Sequence, residues 1–142
     1  MKQVVFNAAT GEITEENYTP APAPLPTPGD VGGELERRLA LGFDFNFGDQ
    51  RGVHHFGTTP KDMERWTQEV TPLAQAATAK GDNDRQIGIK TETGPVAVTA
   101  AEWWDILDAA GEWRQPIYQA YFILKSTDPI PSDFATNPTY WP

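Results

Sequence analysis

Two adjacent histidines and one acidic turn contain the residue types that could bind a metal ion. His54 and His55 are the only histidines in the chain. They fall in a predicted strand, where neighbouring side chains point to opposite faces, and no further ligand follows at a suitable spacing. Asp82–Asn83–Asp84 begins like a calcium loop, but Ile87 stands where such a loop requires glycine. We therefore expect neither a metal ion nor another cofactor.

The residue types needed for catalysis lack the sequence context that would activate them. The chain has no cysteine, which removes thiolate chemistry. Ser126 and Ser132 lie outside any nucleophile-elbow sequence, and the glycine-rich phosphate-binding motifs are missing. The neighbouring carboxylates Glu12, Glu15 and Glu16 fall in a predicted exposed arm, where surface charge explains them better than glycosidase chemistry. The sequence predicts a protein that is not an enzyme.

The charge balance excludes two classes of partner. In 142 residues the chain has 11 basic and 20 acidic side chains, a formal net charge of −9. Nucleic-acid binding requires clustered Lys and Arg, and an anionic membrane surface would repel this chain. No apolar run approaches the roughly 20 residues that span a bilayer, and no signal-peptide pattern is present. We expect a soluble protein, made in a bacterial cytoplasm, that binds neither nucleic acid nor membrane.

Prolines divide the chain into unequal parts. Of its 13 prolines, five lie between Pro20 and Pro28, alternating with small residues. Each proline restricts its own backbone and that of the preceding residue, which favours an extended polyproline strut. We interpret residues 19–33 as a Pro/Gly-rich linker whose glycines supply a flexible joint. A proline-rich peptide ligand is the alternative, but no basic residue flanks the segment.

Residues 1–18 predict a β-hairpin in front of this strut. Lys2–Asn7 is rich in β-branched and aromatic residues, and Glu12–Glu15 follows a short turn that contains Gly11. An isolated two-stranded hairpin is barely stable in water. This one must therefore pack on the main domain or on another protein, as an attachment arm would.

Residues 34–125 predict a small α+β domain with two β-hairpins and three helices. The expected order is α-β-β-α-β-β-α: helix Glu34–Leu41, strands Phe43–Phe47 and Arg51–Phe56, a helix from Pro60 to Lys80 interrupted at Pro72, strands Gln86–Thr91 and Pro95–Val98, and a long helix from the Thr99 cap to about Lys125 with a bend at Pro116. The apolar stripe of the central helix is predicted to run through Met63, Trp66, Val70, Leu73 and Ala77.

Residues 126–142 predict an irregular tail rich in proline and aromatic residues. Exposed aromatics would be costly in water, so the tail should lie along a groove, either on its own domain or on a neighbour. Trp66, Trp103 and Trp113 fall on helical stripes and should be core residues. The candidate partner-binding residues lie in the arm, the strut, a helix flank and the tail: Val4, Phe6, Ile13, Pro22, Pro24, Pro26, Trp104, Phe134, Tyr140 and Trp141.

Three segments carry a resemblance to a known group of proteins. They are Arg37–Phe43 (RRLALGF), His55–Thr58 (HFGT) and Val96–Glu102 (VAVTAAE), the last leading into the long final helix. On these segments, residues 34–125 resemble a small uncharacterised domain of tailed phages and prophages, found in short proteins encoded beside tail-fibre genes. The resemblance implies no catalytic residue.

The resemblance also implies a setting for the attachment arm. It suggests a structural component of a bacteriophage tail, at the baseplate or tail-fibre region of the virion, that joins other tail proteins through its arm and tail and could also form homo-oligomers. One alternative is a tail-fibre assembly chaperone that the virion does not retain. Another is a module for attachment to a host-surface receptor or glycan, with Trp104 and Trp141 as its contacts.

Overall fold

A computed structural model describes residues 2–17 and 22–142 of the chain. In these ranges three antiparallel two-stranded hairpins alternate with helices, which confirms the α+β class and the predicted order of elements. Their bounds are β1 Lys2–Asn7, β2 Glu12–Asn17, α1 Pro28–Leu39, β3 Phe43–Asn46, β4 Val53–Phe56, α2 Pro60–Arg65, a π-helical segment Trp66–Val70, α3 Thr71–Lys80, β5 Ile87–Thr91, β6 Gly94–Val98 and α4 Ala100–Ser126. Residues 18–21 of the predicted arm and strut lie outside the described ranges.

The long helix α4 provides the packing surface of the domain. It begins at the predicted capping box, in which the Glu102 N–H donates to Thr99 Oγ1 and the Thr99 N–H donates to a Glu102 carboxylate oxygen. The helix has 27 residues and continues through Pro116, so it is about 40 Å long. Two separate apolar clusters lie along it, and the half-buried Trp113 contacts both.

The first cluster lies between α4, the β3–β4 and β5–β6 hairpins and the central helical region. The fully buried Trp103 packs edge to face against Trp66, with ring centroids 5.0 Å apart. Each hairpin buries one face of its strands here, as the alternation in Ile87–Thr91 illustrates. Because a two-stranded sheet is marginal in water, both hairpins depend on this contact.

The central helix contains a π-helical turn, which corrects the predicted apolar stripe. The Thr71 N–H donates to the Trp66 carbonyl five residues earlier, so the turn holds one extra residue. Downstream of the turn Ala77 is buried as predicted, and the stripe differs at one position. Ala74 is fully buried where Leu73 was predicted, and Leu73 is exposed. The turn also places the Thr71 hydroxyl 3.1 Å from Trp103 Nε1, whose N–H it accepts.

Helix α1 begins at Pro28, six residues before the predicted start, so the predicted linker is too long. Thr27 caps the helix in a capping box with Asp30, and Pro28 occupies the first turn. The three glycines assigned to a flexible joint lie within the helix: Gly29, Gly32 and Gly33. Each weakens a helix by about 1 kcal/mol, but the burial of Val31 and Leu35 against α4 outweighs that cost.

The C-terminal segment folds back on its own domain. Ile130, Phe134 and Trp141 are buried in the second cluster, with α1 and the C-terminal half of α4. The Trp141 indole N–H donates to the Phe134 carbonyl at 2.7 Å, and the Arg38 guanidinium lies 4.6 Å from the centre of the indole. The predicted role of Phe134 and Trp141 as partner contacts is therefore wrong, since neither side chain is accessible.

The early start of α1 and the buried tail together change both boundaries of the domain. Tyr140 is half-buried against the same cluster. The tail was predicted to lie on its own domain or on a neighbour, and in the structure it lies in a groove of its own domain. The folded unit consequently runs from the Thr27 cap to Trp141, rather than over 34–125.

The buried tail leads to a stability prediction. Trp141→Ala should lower the free energy of unfolding by about 3–5 kcal/mol, because it removes a large buried ring. The exposed Val53 offers a matched control, and Val53→Ala should change stability by less than about 0.5 kcal/mol. Urea denaturation followed by tryptophan fluorescence and circular dichroism measures both. An unchanged midpoint for Trp141→Ala would contradict the folded-back tail.

Candidate protein-interaction surfaces

Two of the segments that carry the resemblance meet in one structural joint. Gly42 has φ +73°, and a Cβ there would collide with the Phe56 carbonyl oxygen. The buried Thr58 hydroxyl donates to the Leu39 carbonyl. The joint fixes the end of α1 against the end of β4 and excludes any larger residue at Gly42. These residues hold the fold together.

His55 closes the same joint with both of its ring nitrogens. Nδ1 lies 2.7 Å from an Asp44 carboxylate oxygen, and Nε2 lies 2.6 Å from the Leu41 carbonyl. Both neighbours are acceptors only, so both bonds form only when the imidazole is protonated. Asp44 is the main cause that raises the pKa of His55, and Leu41 and Glu92 add to it against a lowering effect of burial.

His54 has different neighbours from His55. Its Nδ1 lies 3.1 Å from Thr91 Oγ1 and 3.2 Å from Thr93 Oγ1, at the end of the β5–β6 hairpin. Across residues 2–17 and 22–142 no group of three or more His, Asp or Glu side chains is placed to hold a metal ion. The histidines link elements of the fold to one another.

A groove of about 560 Å³ lies beside Arg51 and His54. Arg51 bonds to Asp49 at 2.6 Å, to the Glu102 carboxylate and to the Ala97 carbonyl at 3.0 Å. Arg51 lowers the pKa of both carboxyls by hydrogen bonding and charge. Its guanidinium is thus neutralised inside the chain, and it clamps the β3–β4 turn to the start of α4.

The N-terminal hairpin presents an apolar face to solvent. Phe6 pairs with Ile13 in the β1–β2 register, and Val4 lies two residues from Phe6 on the same face. Val4, Phe6 and Ile13 are 66%, 63% and 68% exposed. We call these three side chains the hairpin face. The two strands contact each other and have no comparably extensive contact with any other described element.

Proline residues of the strut extend from the domain beside a second exposed region. Pro22 and Pro24 are exposed and Pro26 is half-buried, in a segment without regular secondary structure. Leu25, 68% exposed, and Lys125 both line a small groove at the C-terminal end of α4.

The outer side of α4 near that groove carries apolar residues that the sequence reasoning missed. Phe122 and Ile123 are 53% and 69% exposed. The Phe122 ring lies 6.3 Å from Tyr118, and Lys125 Nζ lies 5.7 Å from the centre of the Phe122 ring. We call Tyr118, Phe122, Ile123 and Lys125 the helix face. The run Tyr121–Leu124 was the available signal, because four consecutive apolar residues cannot all lie on the buried side of a helix.

Trp104 lies at the flank of α4, where the sequence placed it. It is half-buried against the first cluster, and its indole N–H donates to Thr78 Oγ1 at 3.3 Å. Its polar group is therefore used within the chain.

Comparison of the chain with protein-family models, with curated proteins and with solved structures finds no match in any of the three. None of the helices in the described part of the chain combines the length and apolarity needed to cross a membrane.

The His55 joint predicts a pH dependence of stability. The pKa of His55 is higher in the folded protein than the ordinary value near 6.5. Its contribution to stability is therefore complete below about pH 6.5 and is lost as the pH rises through the folded pKa. Urea unfolding at pH 5 to 9 should show this loss, and His55→Gln should remove that part of the slope. The same slope in both proteins would contradict the assignment.

Proposed function

We propose that this protein is a structural component of a bacteriophage tail, at the baseplate or tail-fibre region, and that its N-terminal hairpin joins it to a neighbouring protein of the tail. The observation that carries the proposal is the hairpin face, whose three side chains are more than 60% exposed and are not covered by the described part of the chain. The resemblance of residues 34–125 to tail-fibre-associated domains supplies the setting.

The physical argument starts from the marginal stability of a two-stranded hairpin. The other two hairpins of this fold each bury a face against α4, whereas the N-terminal one leaves three large apolar side chains in water. Burying one such side chain contributes about 1.5–3 kcal/mol. A partner surface that covers Val4, Phe6 and Ile13 would therefore stabilise the hairpin and bind it in one step.

The polar groups of the described chain favour a binding role over a catalytic one. No described buried side-chain nitrogen or oxygen lacks a hydrogen-bond partner. Arg51, His54 and His55 are engaged with other parts of the fold. The exposed surface of the described chain includes apolar side chains on the hairpin face and the helix face, and exposed apolar patches mark protein interaction sites.

The alternative of a host-glycan module depended on Trp104 and Trp141. Trp141 is buried and the indole N–H of Trp104 is already bonded, so no observed feature favours that alternative. The assembly chaperone differs from a structural component in one measurable respect, its absence from the finished particle.

Removing the hairpin should separate folding from attachment. A chain that lacks residues 2–21 keeps the Thr27 cap and both clusters, so its melting temperature should stay within a few degrees of the full chain. We expect it to be missing from purified particles, whereas the full chain is present. Mass spectrometry of purified virions measures both. If the full chain is absent from virions, the structural role is wrong; if the shortened chain is retained, the hairpin is not the attachment.

A further inference from the structure

We propose that the hairpin face of one copy docks on the helix face of a second copy of the same chain. The inference rests on the proposed function, since it names the first partner of the same hairpin. Two apolar surfaces of this protein lack a counterpart in the described chain. One is Val4, Phe6 and Ile13, and the other centres on Phe122 and Ile123.

The two segments that carry these surfaces have opposite net charge. From Arg114 to Lys125 the helix has two basic residues and no acidic one, in a chain of net charge −9. Residues 2–17 contain one lysine and three glutamates, a net charge of 1 − 3 = −2. Glu12 follows the Gly11 turn and is exposed beside Ile13. Opposite charges at the rim of an apolar contact select the partner and its orientation.

The strut favours a neighbouring copy over the chain's own domain. Leu25 and Lys125 line the same groove, so the strut leaves the domain beside its own helix face. The alternating Pro22, Pro24 and Pro26 favour a stiff, extended backbone. At about 3.1 Å per residue, the stretch from Pro22 to Leu25 would span about 9 Å. A stiff segment that starts beside its own helix face favours holding the attached hairpin at a distance from that face, so the helix face of a neighbour is the better candidate.

Exchange of hairpins would cover both surfaces on every copy. A reciprocal pair related by a two-fold axis has two identical contacts, and a head-to-tail ring has one per copy. In either arrangement each hairpin gains the packing surface that β3–β4 and β5–β6 obtain from α4.

Light scattering during size-exclusion chromatography of the full chain tests the proposal. The mass should rise with protein concentration, and Phe6→Ser or Phe122→Ser should each weaken this association at least tenfold. Lys125→Glu should also weaken the association, because it replaces the positive charge at the rim of the helix face with a negative one. Leu73→Ser is the matched control, because Leu73 is exposed on α3 outside both faces, and it should leave the association unchanged. Circular dichroism confirms that each variant is folded.

A mixing experiment distinguishes exchange between copies from any effect within one copy. The Phe6→Ser chain retains its helix face, and the Phe122→Ser chain retains its hairpin face. Mixed in equal amounts, they should associate more strongly than either variant alone. A chain that stays monomeric at all concentrations, or a mixture that behaves like the separate variants, would overturn the proposal.

The two proposals can fail separately. In one case, the chain is monomeric in solution but enters particles only when it has its hairpin. That result would support the tail role and overturn the exchange between copies. In the other case, mixing the Phe6→Ser and Phe122→Ser chains restores association, but the full chain is absent from virions. That result would support the exchange and contradict the tail role.

Discussion

The packing of α4 against two apolar clusters is the interaction on which the rest of the structure depends. The N-terminal half of the helix gives the β3–β4 and β5–β6 hairpins a surface on which to bury one face. The C-terminal half does the same for α1 and the folded-back tail. None of these pieces is large enough to be stable alone. The first hairpin follows the same physical rule, but the described residues of its own chain give it no such surface, and its face is exposed.

Polar interactions in this protein fix elements to one another. Arg51 connects the β3–β4 turn to the capping box of α4, and His55 connects the end of β4 to the turn after α1. Each of these groups could suggest chemistry when read from the sequence. In the structure its partners are other parts of the same chain.

The sequence was informative where local rules determine the structure. The Thr99 capping box marked the start of α4, and strand alternation placed His54 and His55 among different neighbours. It was uninformative where packing outweighs local preference. The start of α1 was placed too late because its first turns contain three glycines, which disfavour a helix. Thr27, Pro28 and Asp30 nevertheless form a recognisable helix start. The tail has no regular secondary structure, as predicted, and its burial depends on a groove that exists only after α1 and α4 have packed.

The exposed apolar surfaces were predicted in part. Val4, Phe6 and Ile13 were identified as apolar residues of the predicted hairpin arm, and the observed register brings them to one face. Phe122 and Ile123 were missed because they lie outside the apolar stripe that predicts the buried side of α4. Leu73 was assigned to the core in error, since Ala74 takes that place after the π-helical turn, whereas Ala77 is buried as predicted.

Hydrogen exchange of the β1 and β2 amides, measured by mass spectrometry on the dilute monomer and on the assembled protein, tests most directly whether docking stabilises the hairpin. We expect rapid exchange in the monomer and at least tenfold slower exchange after assembly, with α4 protected in both. Equal, strong protection of β1 and β2 in the monomer would contradict the account, because the hairpin would then be stable without a partner.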